Sequence, residues 1–62
     1  MTQIKIYKIE HRWEDKYVVS YTVKTDRMYG RSDYMHVRAQ DELAAYAKAV
    51  NMMTKSGYEV VT

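Results

Sequence analysis

The side chains that most readily bind metal ions or move protons in this chain are its two histidines, His11 and His36, which could combine with Glu10, Glu14 or Asp15. A zinc site needs three or four ligands that converge at short spacings. The sequence holds no such cluster, so we interpret both histidines as strand residues at the edge of an aromatic face. We therefore predict no metal site and no cofactor.

Nucleophilic catalysis is the second kind of chemistry to consider, because the chain carries Ser20, Ser32 and Ser56. An activated serine needs an adjacent base and an oxyanion site on a scaffold that encloses a pocket. None of these serines has such a signature, and the adjacent carboxylates of Glu14 and Asp15 are better explained by a polar turn. The sequence predicts that the protein is not an enzyme.

Binding of phosphates and bases is a third kind of chemistry, indicated by segment 27–32, which interleaves arginine, methionine and tyrosine. Basic and aromatic side chains on a hairpin can contact phosphates and stack on bases. However, Asp26 and Asp33 flank the segment, and the net charge is only +2 with both signs interspersed, whereas nucleic-acid binders carry a dense basic patch. Nucleic-acid binding is therefore the alternative function, and its candidate residues are Lys24, Arg27, Tyr29, Arg31 and Arg38.

The aromatic composition favours binding to another protein. Seven tyrosines and one tryptophan occur in 62 residues that include no phenylalanine, cysteine or proline. Tyrosine combines an apolar ring with a hydroxyl that needs water or a partner, so many tyrosines indicate half-buried surfaces. Tryptophan, tyrosine and arginine are also the residues most often found at the energetic centres of interfaces. The candidate partner-binding residues are Trp13, Tyr29, Arg31, Tyr34, His36 and Arg38.

The strands that would position these residues follow from hydrophobic alternation. A first strand is expected from Gln3 to Trp13, but Ile4 and Ile6 lie in one phase of the alternation and Ile9 in the other. Either a β-bulge intervenes near Tyr7-Lys8 or the strand buries different faces along its length, and of the two we favour the bulge.

Two further strands are expected along the middle of the chain. The clearest alternation of β-branched and aromatic residues runs from Tyr17 to Lys24. The polar segment from Thr25 to Asp33 is expected to form a long hairpin loop with a turn at Gly30. A third strand is predicted from Tyr34 to Ala39.

A helix and a final short strand complete the pattern. Asp41 and Glu42 suit the positive end of a helix dipole, Gly57 suits a left-handed residue that ends a helix, and Tyr58 to Val61 reads as a strand. Apolar residues at three- and four-residue spacing predict a core-facing stripe of Leu43, Tyr46, Ala47, Val50 and Met53. The opposite, wetter face is expected to be Ala44, Lys48, Asn51 and Lys55.

The expected fold class is α+β, with a small, mostly antiparallel sheet in the order β-β-β-α-β and one amphipathic helix packed on one face. Residues 1–62 form a single domain. The second face of the sheet has nothing left to cover it, and its expected members are Val18, Ser20, Thr22, Tyr34, His36 and Arg38. No apolar run approaches the roughly 20 residues of a membrane helix, and we expect a complete, soluble, cytoplasmic protein without a signal peptide.

The C-terminal half carries a resemblance to a known class of proteins. Strand Tyr34–Ala39 leads into the acidic, alanine-containing helix start Asp41–Ala44, and Gly57-Tyr58-Glu59-Val60 closes the unit. This layout, over about the last 29 residues, resembles the RNA polymerase inhibitors of short-tailed coliphages, which are small bacteriophage accessory proteins. The resemblance implies a viral protein that binds and disables a host enzyme in the host cytoplasm, and it transfers no contact residue.

Three functions therefore remain open. The leading hypothesis is a non-enzymatic, protein-binding modulator, a phage-encoded inhibitor that occupies the surface of a host transcription or defence enzyme. The alternatives are a small nucleic-acid-binding accessory protein and a structural homodimer that pairs its uncovered sheet faces. Dimerisation or binding to a larger partner would also stabilise a domain whose small core supplies only about 3–5 kcal/mol.

Overall fold

The computed structural model describes residues 2–29 and 32–61. The candidate residue Arg31 and the turn expected at Gly30 lie outside the described residues, as does the side chain of Tyr29. The elements, in chain order, are β1 (Thr2–Glu14), β2 (Val19–Tyr29), β3 (Ser32–Ala39), α1 (Glu42–Lys55) and β4 (Tyr58–Val61). The predicted α+β class and the order β-β-β-α-β are confirmed.

The four strands form one sheet in the order β3-β2-β1-β4. Strand β2 pairs antiparallel with both β1 and β3, while β4 pairs parallel with the first residues of β1, from Thr2 to Lys5. After β3 the chain crosses one face of the sheet as α1 and returns on the far side of β1. The sheet is therefore mostly antiparallel, with a single helix on one side.

The predicted bulge in β1 is confirmed. Ile6 pairs with Thr25 and Lys8 pairs with Lys24, so Tyr7 is the extra residue on β1. An extra residue reverses the phase of a strand. Ile4 and Ile6 before the bulge and Ile9 after it can therefore all pack into the same core.

A second register shift in β1 was not predicted. His11 pairs with Tyr21, but Trp13 pairs with Ser20, which makes Arg12 the extra residue. Because of this shift, His11 and Trp13 lie on opposite faces of the sheet. His11 contacts Tyr21 edge-on with ring centroids 6.2 Å apart, whereas Trp13 belongs to the uncovered face.

The prediction of a long loop from Thr25 to Asp33 was wrong, because β2 continues to Tyr29 and β3 begins at Ser32. Backbone groups satisfy two polar side chains of this segment, those of Thr25 and Asp26. The buried Thr25 hydroxyl lies 2.6 Å from the Arg27 carbonyl oxygen and 3.0 Å from that of Asp33. The Asp26 carboxylate accepts a 2.8 Å hydrogen bond from the Lys5 amide.

The predicted start and end of the helix are confirmed. Asp41 is the N-cap, and its carboxylate accepts a 2.8 Å hydrogen bond from the Ala44 amide. This bond gives an acceptor to one of the first-turn amides, which have no partner within the helix. At the other end Gly57 has a φ of 93° and donates from its amide to the Thr54 carbonyl at 3.1 Å. A left-handed glycine of this kind is a common helix stop.

The predicted core-facing stripe of the helix was wrong except at its end. Met53 is fully buried, but Leu43 is 79% exposed, Ala47 is exposed, and Tyr46 and Val50 are only half-buried.

The helix instead packs on its alanines. The buried helix residues are Ala45, Ala49 and Met53, and Ala44 is half-buried against the core although it was expected on the wet face. The sheet presents large side chains to the helix, and small residues opposite them let the two layers approach closely. These large sheet residues are Ile4, Tyr21, Val23 and Val37.

Candidate functional site

The surface of the sheet turned away from α1, here called the open face, gathers most of the residues singled out in the sequence. Val19, Tyr21 and Val23 of β2 pack toward the helix, so the alternate residues of β2 must point the other way. Strand pairing then arranges the open face in three cross-strand rows: Lys8–Lys24–Tyr34, Glu10–Thr22–His36 and Trp13–Ser20–Arg38.

In the three rows of the open face, the Glu10 carboxylate partly compensates the positive charge of Lys8 and Lys24. Glu10 lies 2.9 Å from the Lys8 ammonium and 3.3 Å from the Lys24 ammonium. Hydrogen bonds from Lys8 and then Lys24 hold the pKa of Glu10 below its ordinary value, and the hydrogen bond to Glu10 raises the pKa of Lys8. Glu10 is therefore ionised at neutral pH and shared between the two lysines.

Trp13 and Arg38 form a cation–π pair at the end of the open face away from Lys8 and Lys24. The Arg38 guanidinium lies 5.7 Å from the centroid of the Trp13 ring, within the range of cation–π attraction. Ser20, which pairs with both residues across the sheet, is only 2% exposed. Trp13 itself remains 37% exposed, so it can pack over the sheet and still contact a partner.

His36 occupies the middle of the open face. Its Nδ1 lies 3.1 Å from the Thr22 hydroxyl, and its ring lies 5.3 Å from that of Tyr34 at an interplanar angle of 56°. These contacts hold the imidazole against its neighbours on two sides.

A shallow cleft of about 460 Å³ lies beside His36. Tyr7, from the bulge in β1, and Tyr34, from β3, contribute to its lining together with Thr22, Lys24 and Asp33. The two tyrosines are 59% and 46% exposed. The cleft therefore offers aromatic surface and polar groups together in a partly enclosed site.

The structure brings together four of the six predicted partner-binding residues: Trp13, Tyr34, His36 and Arg38. Of the nucleic-acid candidates, Lys24 and Arg38 lie on the open face, while Arg27 is exposed within the irregular part of the pairing between β2 and β3. Val18, expected on this face, precedes β2.

Sequence reasoning missed three members of the open face: Tyr7, Lys8 and Glu10. The conflict of phase between Ile6 and Ile9 was the signal that could have found them. A bulge at Tyr7 places Ile9 in the core and so assigns both of its neighbours, Lys8 and Glu10, to the opposite face.

A second depression, of about 330 Å³, lies on the helix side of the molecule. Its lining is mainly apolar and is formed by Ile9, Glu42, Leu43 and Tyr46. It lacks the clustered cations of the open face.

The described part of the chain holds neither a metal-binding cluster nor a membrane-spanning helix. Within residues 2–29 and 32–61, no three His, Cys, Asp or Glu residues are grouped in a way that could hold a metal ion. The described helix is too short and too polar to cross a membrane. No protein-family model matches the chain, and no curated protein or solved structure is significantly similar to it.

Proposed function

We propose that this protein is a non-enzymatic binding protein that acts by covering a surface of a partner protein with its open face. The observation that carries the proposal is the grouping of Tyr7 and Trp13 from β1 with Tyr34 and Arg38 from β3 on a sheet face that α1 does not cover. Aromatic and arginine side chains that share one face are typical anchors of protein interfaces.

Exposed aromatic area, together with only a small excess of positive charge, favours a protein partner over a nucleic acid. Binding to nucleic acid depends on cations that can replace the counterions of phosphates. On the open face, Glu10 contacts both Lys8 and Lys24, and Arg38 lies over Trp13. The three rows of the open face thus carry three cations against one carboxylate, a small excess of positive charge, and exposed aromatic area beside so few cations suits a mixed protein surface better than a phosphate backbone.

The class of target is the part of the proposal that depends on resemblance. The strand-helix-strand layout of residues 34–60 is similar to that of phage proteins that inhibit RNA polymerase, and it supports an inhibitor of a host transcription or defence enzyme in the host cytoplasm. Occupation of a surface requires no reaction, so inhibition by this protein would be stoichiometric.

The proposal is tested by affinity capture from a lysate of the host, with quantification of co-purified proteins by mass spectrometry. Wild-type protein should retain one enzyme in near-equimolar amount, and Tyr34→Ala or Arg38→Ala should release it. Leu43→Ala is the matched control, because Leu43 is 79% exposed on the helix side and its loss should leave capture unchanged.

Two other outcomes would overturn the proposal. Binding to random DNA or RNA that falls steeply with salt would indicate nucleic-acid binding, because counterion release produces that dependence. Recovery of the protein as a dimer without a partner, with a monomer produced by Tyr34→Ala, would indicate that the open faces pair with each other.

A further inference from the structure

The outer edge of β3 is a second surface that the fold leaves unpaired. β3 stands last in the sheet order β3-β2-β1-β4, so no other strand of residues 2–29 and 32–61 lies on its outer side. We propose that this edge pairs antiparallel with β3 of a second copy of the chain, which joins two four-stranded sheets into one. The inference goes beyond the proposed function, because it concerns an edge of the sheet and not the open face.

The regularity of β3 is the first reason. Edge strands usually avoid pairing with other chains by being short, bulged or interrupted by proline. The eight residues from Ser32 to Ala39 include neither proline nor glycine, and those from Tyr34 to Ala39 pair one to one with β2. The extra residues of the irregular pairing between the two strands lie on β2. β3 therefore presents a straight, regular edge.

Two hydrogen bonds show which backbone groups of β3 point outward. The Asp33 carbonyl oxygen lies 3.0 Å from the Thr25 hydroxyl of β2, so it points into the sheet. The Arg38 carbonyl oxygen instead accepts a 2.6 Å hydrogen bond from the Lys48 ammonium of α1. Along a strand, the backbone groups of alternate residues point to the same side. Every second residue from Tyr34 to Arg38 therefore directs its N–H and C=O groups outward, where another strand could pair with them.

Self-complementarity of the edge is the second reason, and it is greatest when the two-fold axis passes at His36. In that register Tyr34 of each copy lies opposite Arg38 of the other, both on the open face. On the helix side, Met35 of each copy lies opposite Val37 of the other. Aromatic–cation and apolar pairs directly opposite each other stabilise antiparallel strands.

Other registers lose this match. An axis at Val37 would place His36 opposite Arg38 and would shorten the paired segment. An axis at Met35 would place Asp33 opposite Val37, which is apolar and only 5% exposed. A shift of the pairing by a single residue would bring side chains from opposite faces together. The sequence of β3 thus specifies one centre for the pairing.

Charge complementarity is the third reason. Asp33 alternates in phase with Met35, so its side chain lies on the helix side of the sheet, and in this register it faces Ala39 of the second copy. Lys48 of that copy reaches the same place, because its ammonium contacts the neighbouring Arg38 carbonyl. An ammonium has three donors, so Lys48 can keep this bond and also contact the carboxylate. Among the described residues of one copy, no cation lies within ion-pair distance of Asp33.

Edge pairing would change the surface that the protein presents to a partner. A two-fold axis perpendicular to the sheet keeps both helices on one side and both open faces on the other. Two sets of Trp13, Tyr34 and Arg38 then lie on one continuous eight-stranded sheet, which suits a partner that is itself two-fold symmetric. The association should be weak and reversible, because a ladder of one strand from each copy buries less area than a standard protein interface.

The test uses two charge-reversal variants, Asp33→Lys and Lys48→Asp, and sedimentation equilibrium over a wide range of protein concentration. Each variant alone places two like-charge pairs across the two-fold axis, so its dimerisation should be about tenfold weaker than that of wild type. An equimolar mixture of the two variants restores both ion pairs and should form a heterodimer about as tightly as wild type dimerises. Glu14→Lys and Lys55→Asp make the same changes of net charge away from β3 and should leave dimerisation unchanged.

Two further measurements test the backbone pairing itself. In a mixture of ¹³C-labelled and unlabelled protein, a filtered NOE should join the Hα of Met35 in one copy to the Hα of Val37 in the other. Residues opposite each other in a non-hydrogen-bonded pair bring their Cα atoms within about 4.5 Å. His36→Pro removes an outward N–H, so it should prevent dimerisation while circular dichroism shows the fold retained, since an edge strand tolerates proline where its N–H faces solvent.

Three results would overturn the inference. Wild-type protein could sediment as a monomer at every concentration, the two charge-reversal variants could dimerise as wild type does, or their mixture could stay monomeric. A dimer that ignores both charge reversals and lacks the Hα contact, but that Tyr34→Ala separates, would show that the open faces pair instead.

The inference and the proposed function fail in distinguishable ways. A wild-type monomer that still captures a partner would refute only the edge pairing. A dimer that responds to the charge reversals but captures no partner would refute only the proposed function.

Discussion

The face of α1 that packs on the sheet can be tested by replacing Met53 and Leu43 with alanine. Both side chains belong to the stripe that periodicity assigned to the core, yet Met53 is fully buried and Leu43 is 79% exposed. Truncation of a buried methionine to alanine costs about 2–5 kcal/mol. Truncation of a surface residue away from special features changes stability by less than about 0.5 kcal/mol.

These magnitudes matter because the domain is small. A core of this size supplies about 3–5 kcal/mol in total, so Met53→Ala should remove about half of the free energy of unfolding or more. With a urea m-value of about 1 kcal/mol/M for a small domain, the midpoint should fall by roughly 2 M or the protein should be unfolded without urea. Leu43→Ala should leave the midpoint nearly unchanged.

The assay is equilibrium unfolding in urea, followed by far-ultraviolet circular dichroism. Met53→Leu is the control, because a volume-conserving change in a core usually costs less than about 1.5 kcal/mol. If Leu43→Ala destabilised the protein more than Met53→Ala, the helix would be rotated relative to the orientation described above, and the account of its alanine-lined contact would be wrong.

Three further predictions concern the ends of the helix and the charges of the open face. Gly57→Ala should cost about 1–2 kcal/mol in urea unfolding, because φ at Gly57 is 93° although a Cβ there would meet no atom within 4 Å; an unchanged midpoint would contradict this. Asp41→Ala should cost about 0.5–2 kcal/mol through loss of the N-cap, and Asp41→Asn should largely restore the wild-type midpoint. In a carboxyl ¹³C NMR titration the pKa of Glu10 should lie below its ordinary value of 4.5. The contribution of Glu10 to folding stability is therefore present above pH 4.5 and is lost as the pH falls through the lower pKa of the folded state. Lys8→Met should move the Glu10 pKa upward, and no movement would show that Lys8 does not hold the carboxylate.

Strand β1 shows which irregularities of a strand can be predicted from hydrophobic alternation alone. The bulge at Tyr7 could be predicted, because Ile6 and Ile9 are strongly apolar and cannot both reach one core without an extra residue between them. The second shift, at Arg12, could not be predicted. Trp13 is amphipathic and suits either face of a sheet, so its phase carried no information.

The helix illustrates a different limit. Leu43 and Val50 recur at helical spacing, and so do Ala45 and Ala49, so periodicity permits two core-facing stripes that lie side by side. The choice between them depends on the size of the side chains that the sheet contributes. Tyr21, buried opposite the helix, is part of that tertiary context, which a helix pattern by itself does not contain.

The long β2 strand was missed for a third reason. Thr25 and Asp26 are polar, and local sequence rules assign such residues to loops. The Thr25 hydroxyl has one local partner, the Arg27 carbonyl oxygen at 2.6 Å, but the other partners are distant: Thr25 also lies 3.0 Å from the Asp33 carbonyl oxygen, and Asp26 accepts from the Lys5 amide. Only a folded sheet brings these groups together, so the cleft that depends on this part of the sheet could not be predicted either.

The central claim, that the open face is the surface that contacts a partner, is tested most directly by hydroxyl-radical footprinting of the protein alone and in its captured complex. The account predicts that Tyr7, Trp13 and Tyr34 become protected in the complex while Leu43 on the helix side keeps its reactivity. Protection of Leu43, with the three aromatic residues as reactive as in the free protein, would contradict the claim.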